Sequence, residues 1–175
     1  MNMSFRETIR EQIIGAIVTG LADIRTTSGY NVDLGSTVKR GQIISDKDVL
    51  PAVAAFPLGE DNEPIPGRNN LTMTVRIEGL AKFGNKNPSV VAEAMLGDII
   101  YRMTHPSLSI SALSEKIEYA EGGVDEYPDP GQYAVGCYAI FNVNYKTKIG
   151  DPFIQSDSLL INRSDMMSVS ESIST

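Results

Sequence analysis

The chain is poor in the residues that most often carry chemistry. Cys137 is its one cysteine, His105 its one histidine, and it has no tryptophan. One thiol cannot close an intrachain disulfide, and one thiolate with one imidazole cannot supply the four thiolates, or the two thiolates and two imidazoles, of a structural zinc site. A multi-histidine metal site is excluded on the same ground, and any acid–base chemistry would fall to carboxylates, Lys or Tyr. Long apolar runs are missing too: stretches such as residues 52–56 fall far short of the roughly 18 residues a membrane-spanning helix needs. The first residues mix Arg6, Glu7, Arg10 and Glu11 into a helical pattern with no apolar h-region, so no secretory signal is expected and a reducing compartment is. Basic charge is scarce, with 15 Lys plus Arg against 22 Asp plus Glu and a net charge of -7. Such a chain has no global attraction to phosphate backbones, and sequence-specific nucleic-acid reading is not expected. Gly29 and Gly122-Gly123 are isolated turn glycines, so no phosphate-cradling loop is present.

What is there suits one soluble domain of 175 residues, 42% hydrophobic. At this length folding removes roughly 70% of the unfolded chain's surface from water, and no staple is required. Ser4 and Glu7 stand at capping-box spacing, and Ile9, Ile13, Ile17, Leu21 and Ile24 recur at helical intervals. Together they predict an amphipathic helix over residues 5–25, ended by the run into Gly29, a residue free to take the left-handed conformation. Residues 38–44 and 49–56 read as short strands, with Pro51 placing the second near an edge. Residues 57–70 hold so many turn formers that they predict a long projecting hairpin loop. Leu71, Met73, Val75 and Ile77 then alternate with polar residues as a strand with one buried face.

Asn87-Pro88 supplies a cap and a first-turn proline for a second helix. Its stripe is Ala92, Leu96, Ile99 and Met103, widened by Ile100 and ended at His105-Pro106. A strand with Leu113, Ile117 and Tyr119 comes next, then a loop over residues 122–131, then a long strand. In that strand Tyr133, Val135, Cys137, Ala139, Phe141, Val143 and Tyr145 share a face, so Cys137 reads as a core residue. The predicted fold class is α+β: a mostly antiparallel sheet with two helices packed on one face. Residues 1–152 form the single domain, and the serine-rich residues 153–175 form an extended C-terminal tail expected to dock on a neighbouring subunit.

Charge is unevenly placed. Glu115, Glu118, Glu121, Asp125, Glu126 and Asp129 face only Lys116 within residues 111–135, an excess of five negative charges. This segment reads either as a solvated edge and loop or as a repulsive, partner-selecting surface. Neither it nor Glu60-Asp61-Asn62-Glu63 has the ligand alternation of a calcium loop, so no metal is expected. Glu78 is expected to pair with Arg76 or a cross-strand Lys. No nucleophile, base and oxyanion donors can be assembled, so the chain is expected to be no enzyme and to need no cofactor. A small enzyme with a carboxylate site around Glu78 or Asp125 stays as the alternative.

Several phrases, in their order and in a chain of this length, resemble the tail terminator proteins of long-tailed bacteriophages. They are the N-terminal amphipathic helix, Val38-Lys39-Arg40-Gly41, Leu50-Pro51-Ala52-Val53, Val75-Arg76-Ile77-Glu78-Gly79, and Asn87-Pro88 leading into Ala92-Glu93 and Asp98-Ile99. The resemblance covers about residues 5–145; the residues after Pro152 depart from the family pattern. It implies a structural virion protein, assembled in the host cytoplasm and sited in the tail-neck region. Such a protein forms a hexameric ring on the head-proximal end of the tail tube, stops tube polymerisation and joins the tail to the head connector. A neighbouring neck component, a head-tail stopper or connector, is the alternative within that setting. The implied partners are further copies of the chain, the tail tube protein, the connector or stopper, and a sheath only in a contractile tail. DNA passes without specific binding, and no membrane is involved. Under this resemblance Lys39, Arg40, Glu60, Asp61, Glu63 and Arg68 are candidate assembly contacts. The acids Glu115, Glu118, Glu121, Asp125, Glu126 and Asp129 are then a candidate lumen or edge surface.

Overall fold

A computed structural model of the chain describes residues 6–45, 47–105, 112–125 and 127–155. Ser4, Pro106, Glu126 and residues 156–175 therefore lie outside the described residues, and with them the expected Ser4 cap and the expected docking of the tail. Helix α1 is Ile9–Leu21, shorter at both ends than the spacing predicts. Its cap is Thr8, whose extended backbone lets the hydroxyl accept the Glu11 N–H at 3.0 Å. Thr8 and Glu11 stand at the same capping-box spacing as Ser4 and Glu7, and the later pair starts the helix. Two 3-10 turns come after it, Thr26–Ser28 and Leu34–Ser36. Gly29 does take a left-handed conformation, φ 90°, but it ends the first of these turns rather than α1.

The strands are β1 Val38–Arg40, β2 Ala52–Ile65, β3 Arg68–Lys82, β4 Lys116–Val124, β5 Ala134–Lys148 and β6 Asp151–Gln155, with helix α2, Pro88–Thr104, between β3 and β4. Sheet order is β1-β2-β3-β5-β4, with β6 beside β5. Every pairing is antiparallel except the short parallel contact of β1 with β2. This is the α+β class the sequence predicts.

The hairpin loop expected over residues 57–70 is instead mostly strand. β2 and β3 pair as far as Ile65 with Arg68, leaving Pro66 and Gly67 as a two-residue turn in which Gly67 has φ 85°. Proline then glycine is the residue choice of a type II turn. The turn formers upstream are tolerated because this half of β2 has no strand on its outer side among the described residues, so Pro64 withdraws no needed donor. The loop expected from residue 122 starts later too. β4 runs through Gly122 and Gly123, and at Gly122 an added Cβ would lie 2.6 Å from the Tyr138 carbonyl oxygen. Glycine there allows close strand approach rather than a turn. The strand expected over residues 38–44 is only three residues long, and β6 carries the sheet past residue 152.

The long alternation of β5 holds: Val135, Cys137, Ala139, Phe141, Val143 and Tyr145 are buried, although Tyr133 precedes the strand and is exposed. Together with Met73, Val75 and Ile77 of β3 they form one core with Ile13, Ile17 and Leu21 of α1 and Ala92, Leu96, Ile99 and Met103 of α2. Both helices therefore cover the same sheet face. Each large apolar side chain so enclosed stabilises the fold by about 1.5–3 kcal/mol. Asn87 caps α2 by accepting the Ser89 N–H at 2.9 Å, with Pro88 in its first turn. Two polar residues of α2, four apart and carrying no signal in the sequence pattern, tie it to the rest. Asp98 accepts the N–H groups of Asn31 and Val32, and Arg102 donates to the Gly20 carbonyl at 2.8 Å and to Asp23 at 2.6 Å.

Candidate assembly surfaces

The first surface is the outer half of the β2–β3 arm. A bulge between Pro57 and Glu60 inserts one residue, so Glu60 sits opposite Met73 and shares the helix-facing side. There Arg10 of α1 reaches Glu60 at 3.0 Å and the Leu58 carbonyl at 2.7 Å. The Tyr145 hydroxyl donates to the same Glu60 carboxylate. Burial, reinforced by that carboxylate, holds the Tyr145 hydroxyl well above its ordinary pKa. A second clamp joins α1 to β1, where Arg40 grips Glu11 through two nitrogens at 2.5 and 2.6 Å. The hydrogen bond from Arg40 is the main reason the Glu11 carboxyl lies below its usual range. Lys39 pairs with Asp48 at 2.7 Å, and Asp48 also accepts the Ser45 N–H, which organises the loop after β1.

Lys39, Arg40 and Glu60 are thus engaged within the chain. Asp61 and Glu63 are exposed and have no ion-pair partner among the described residues. Arg68 lies directly across from Lys148, a like-charge pair in the β3–β5 register.

The second surface is the β4 edge and the loop beyond it. Glu115 pairs with Lys146, and Lys116 with Glu118. Asp125 is held by Arg76 at 3.0 Å, and Arg76 also reaches the expected partner Glu78 at 2.7 Å while lying over the Tyr138 ring. Glu121 and Asp129 are exposed, the latter on a loop where its N–H donates to Gln132. These acids are strung along an edge rather than gathered at a point. Among the described residues no group of three or more Asp, Glu, His or Cys is placed to hold a metal ion. Burial pushes the Cys137 thiol up to about 12, and His105 caps the end of α2 against the Tyr101 ring.

A third feature has no counterpart in the sequence pattern. Between the start of β2, the end of β3 and the first turns of α2 runs a groove of about 750 Å³. Leu50, Phe83, Val90 and Ala94 give it apolar walls, and Lys82 and Lys86 stand on it. Val90 is 62% exposed and Val49, next to Leu50, is 76% exposed. The available signal was that Val90 falls off the α2 stripe, on a helix whose other large apolar residues are largely accounted for.

No family model matches the chain, and no curated protein matches it. Among the described residues no helix is long and apolar enough to cross a membrane.

Proposed function

We propose that the chain is a structural virion protein, a tail terminator that closes the head-proximal end of a long phage tail tube as a hexameric ring and joins it to the head connector or stopper. The observation that carries this reading is the left–right difference of the sheet. One side ends in the braced β2 arm, and the other ends in the acidic β4 edge with its loop. A subunit with unlike sides suits heterologous contacts that close into a ring. Acidic side chains turned toward a channel would repel DNA and keep its passage free. On this reading the protein acts in the neck of the virion, after assembly in the host cytoplasm, and catalyses nothing.

The reading is tested by adding the purified chain to polymerising tail tubes while imaging virions labelled with an antibody against it. Tubes held at fixed length and a label at the head–tail junction are expected. Junction labelling without an effect on tube length would instead select a stopper or connector, and absence from virions would end the proposal.

A further inference from the structure

We propose that the apolar groove between β2, β3 and α2 receives residues 159–161 of a second copy of this chain, so that copies join head to tail through their C-terminal segments. The inference stands apart from the tail-terminator reading, since it needs only the groove and the chain itself. Three observations choose the occupant.

The first is chemistry. Leu159, Leu160 and Ile161 form the one run of large aliphatic residues after Gln155, with Asp157 before it and Arg163 and Asp165 after it. The groove offers apolar walls and carries Lys82 and Lys86, which have no carboxylate partner among the described residues, together with Asp33, which accepts hydrogen bonds from Thr26. An apolar segment whose flanks carry one net negative charge therefore meets apolar walls that carry one net positive charge, on a molecule whose overall charge is -7.

The second is direction. The described chain leaves the sheet at Gln155, which pairs with Thr147 near one end of β5. Lys82 pairs with Ala134 at the opposite end of the same strand. At about 3.3 Å per residue, the path along β5 from Thr147 to Ala134 is roughly 43 Å.

The third is reach. Five residues separate Gln155 from Leu160, and a fully extended chain of that length spans at most about 18 Å. The segment cannot enter the groove of its own copy and must use that of another. Because the groove and the point where the described chain ends, Gln155, lie at opposite ends of β5, a copy that fills one neighbour's groove leaves its own open to another, the heterologous arrangement that rings require.

The test uses full-length chains. Leu160→Asp spoils the segment, and Val90→Asp spoils the groove at an exposed position. Each variant alone is expected to sediment as a monomer at concentrations where the unmodified chain associates, and an equimolar mixture of the two is expected to form a 1:1 complex. A fluorescent peptide of residues 156–166 should bind the Leu160→Asp chain saturably. That binding should weaken about tenfold or more with Val90→Asp or with Lys82→Glu plus Lys86→Glu, a change of at least about 1.4 kcal/mol. The proposal is overturned if the mixture stays monomeric, if the peptide fails to bind, if Val90→Asp leaves binding unchanged, or if the unmodified chain is monomeric at its solubility limit.

Discussion

At the scale of single residues, the most constrained positions are those where backbone meets backbone. A Cβ added at Gly35 would lie 2.4 Å from the Ala22 carbonyl oxygen and 2.8 Å from that of Leu21. Neither carbonyl can rotate away, because both belong to the end of α1. Gly35→Ala should therefore cost about 1–3 kcal/mol, the range for overpacking, and chemical denaturation would measure it. Charged residues behave differently. Glu11 is held below its ordinary value of 4.5 chiefly by the hydrogen bond from Arg40. A depressed carboxylate contributes stability above its unfolded pKa and loses it as pH falls through the folded one. Glu11→Gln should thus lower stability near neutrality by about 0.2–1 kcal/mol, since the pair is partly exposed, and should flatten the loss below pH about 4.5. Asp33 and Asp48 are depressed by their own hydrogen bonds, so denaturation followed against pH should show a shallower acid limb rather than none.

At the scale of elements, the helices and the buried faces of β3 and β5 were legible because a core writes its period directly into the chain. The stripe of α2 and the alternation from Val135 to Tyr145 are two such cases. Boundaries were less legible, because capping-box spacing occurs twice near the start of α1, and the helix begins at the second, where Thr8 accepts the Glu11 N–H. Thr8→Ala should lower stability by about 1 kcal/mol, read as a fall in melting temperature. The arm departs from its local sequence signals for a related reason. Pro57, Gly59, Asp61, Asn62 and Pro64 each disfavour strand, yet β3, held on its other side by β5, offers an edge whose pairing outweighs them. Of the candidate contact residues, the sequence marked Arg40 and Glu60 by charge alone. Their partners Glu11 and Arg10 lie in a distant part of the chain, which no local pattern reveals.

The same arm residues guard an edge that is open among the described residues. Charges, prolines and a bulge are the devices that keep uncovered strands from pairing with strangers. β2 has all three, and β4 has charges and its own bulge between Tyr119 and Glu121. Replacing Asp61 and Glu63 together by Val should leave the fold in place but raise time-dependent light scattering. A variant as soluble as the parent would show that the edge is protected by something else.

At the scale of the whole molecule, the sheet is knitted from its middle by partners far apart in the chain. β3 is zipped to β5 along its full length, Arg68 to Lys148 and Lys82 to Ala134. β2 and β3 are local, but β4, β5 and β6 all come after α2. A fragment comprising residues 1–133 therefore lacks β5, the strand that pairs with β3, β4 and β6, and should give neither a cooperative melting transition nor dispersed amide resonances.

That central pairing also governs how the chain must be born. On a ribosome adding roughly 5–20 residues per second, β3 emerges several seconds before the last residue of β5. During that interval Met73, Val75 and Ile77, and the apolar stripes of both helices, lack the β5 side chains that complete their core. The nascent chain is thus expected to bind holding factors until its last strands clear the exit tunnel, and synonymous codon changes that slow translation between residues 105 and 134 would lengthen its exposure without altering a single amino acid.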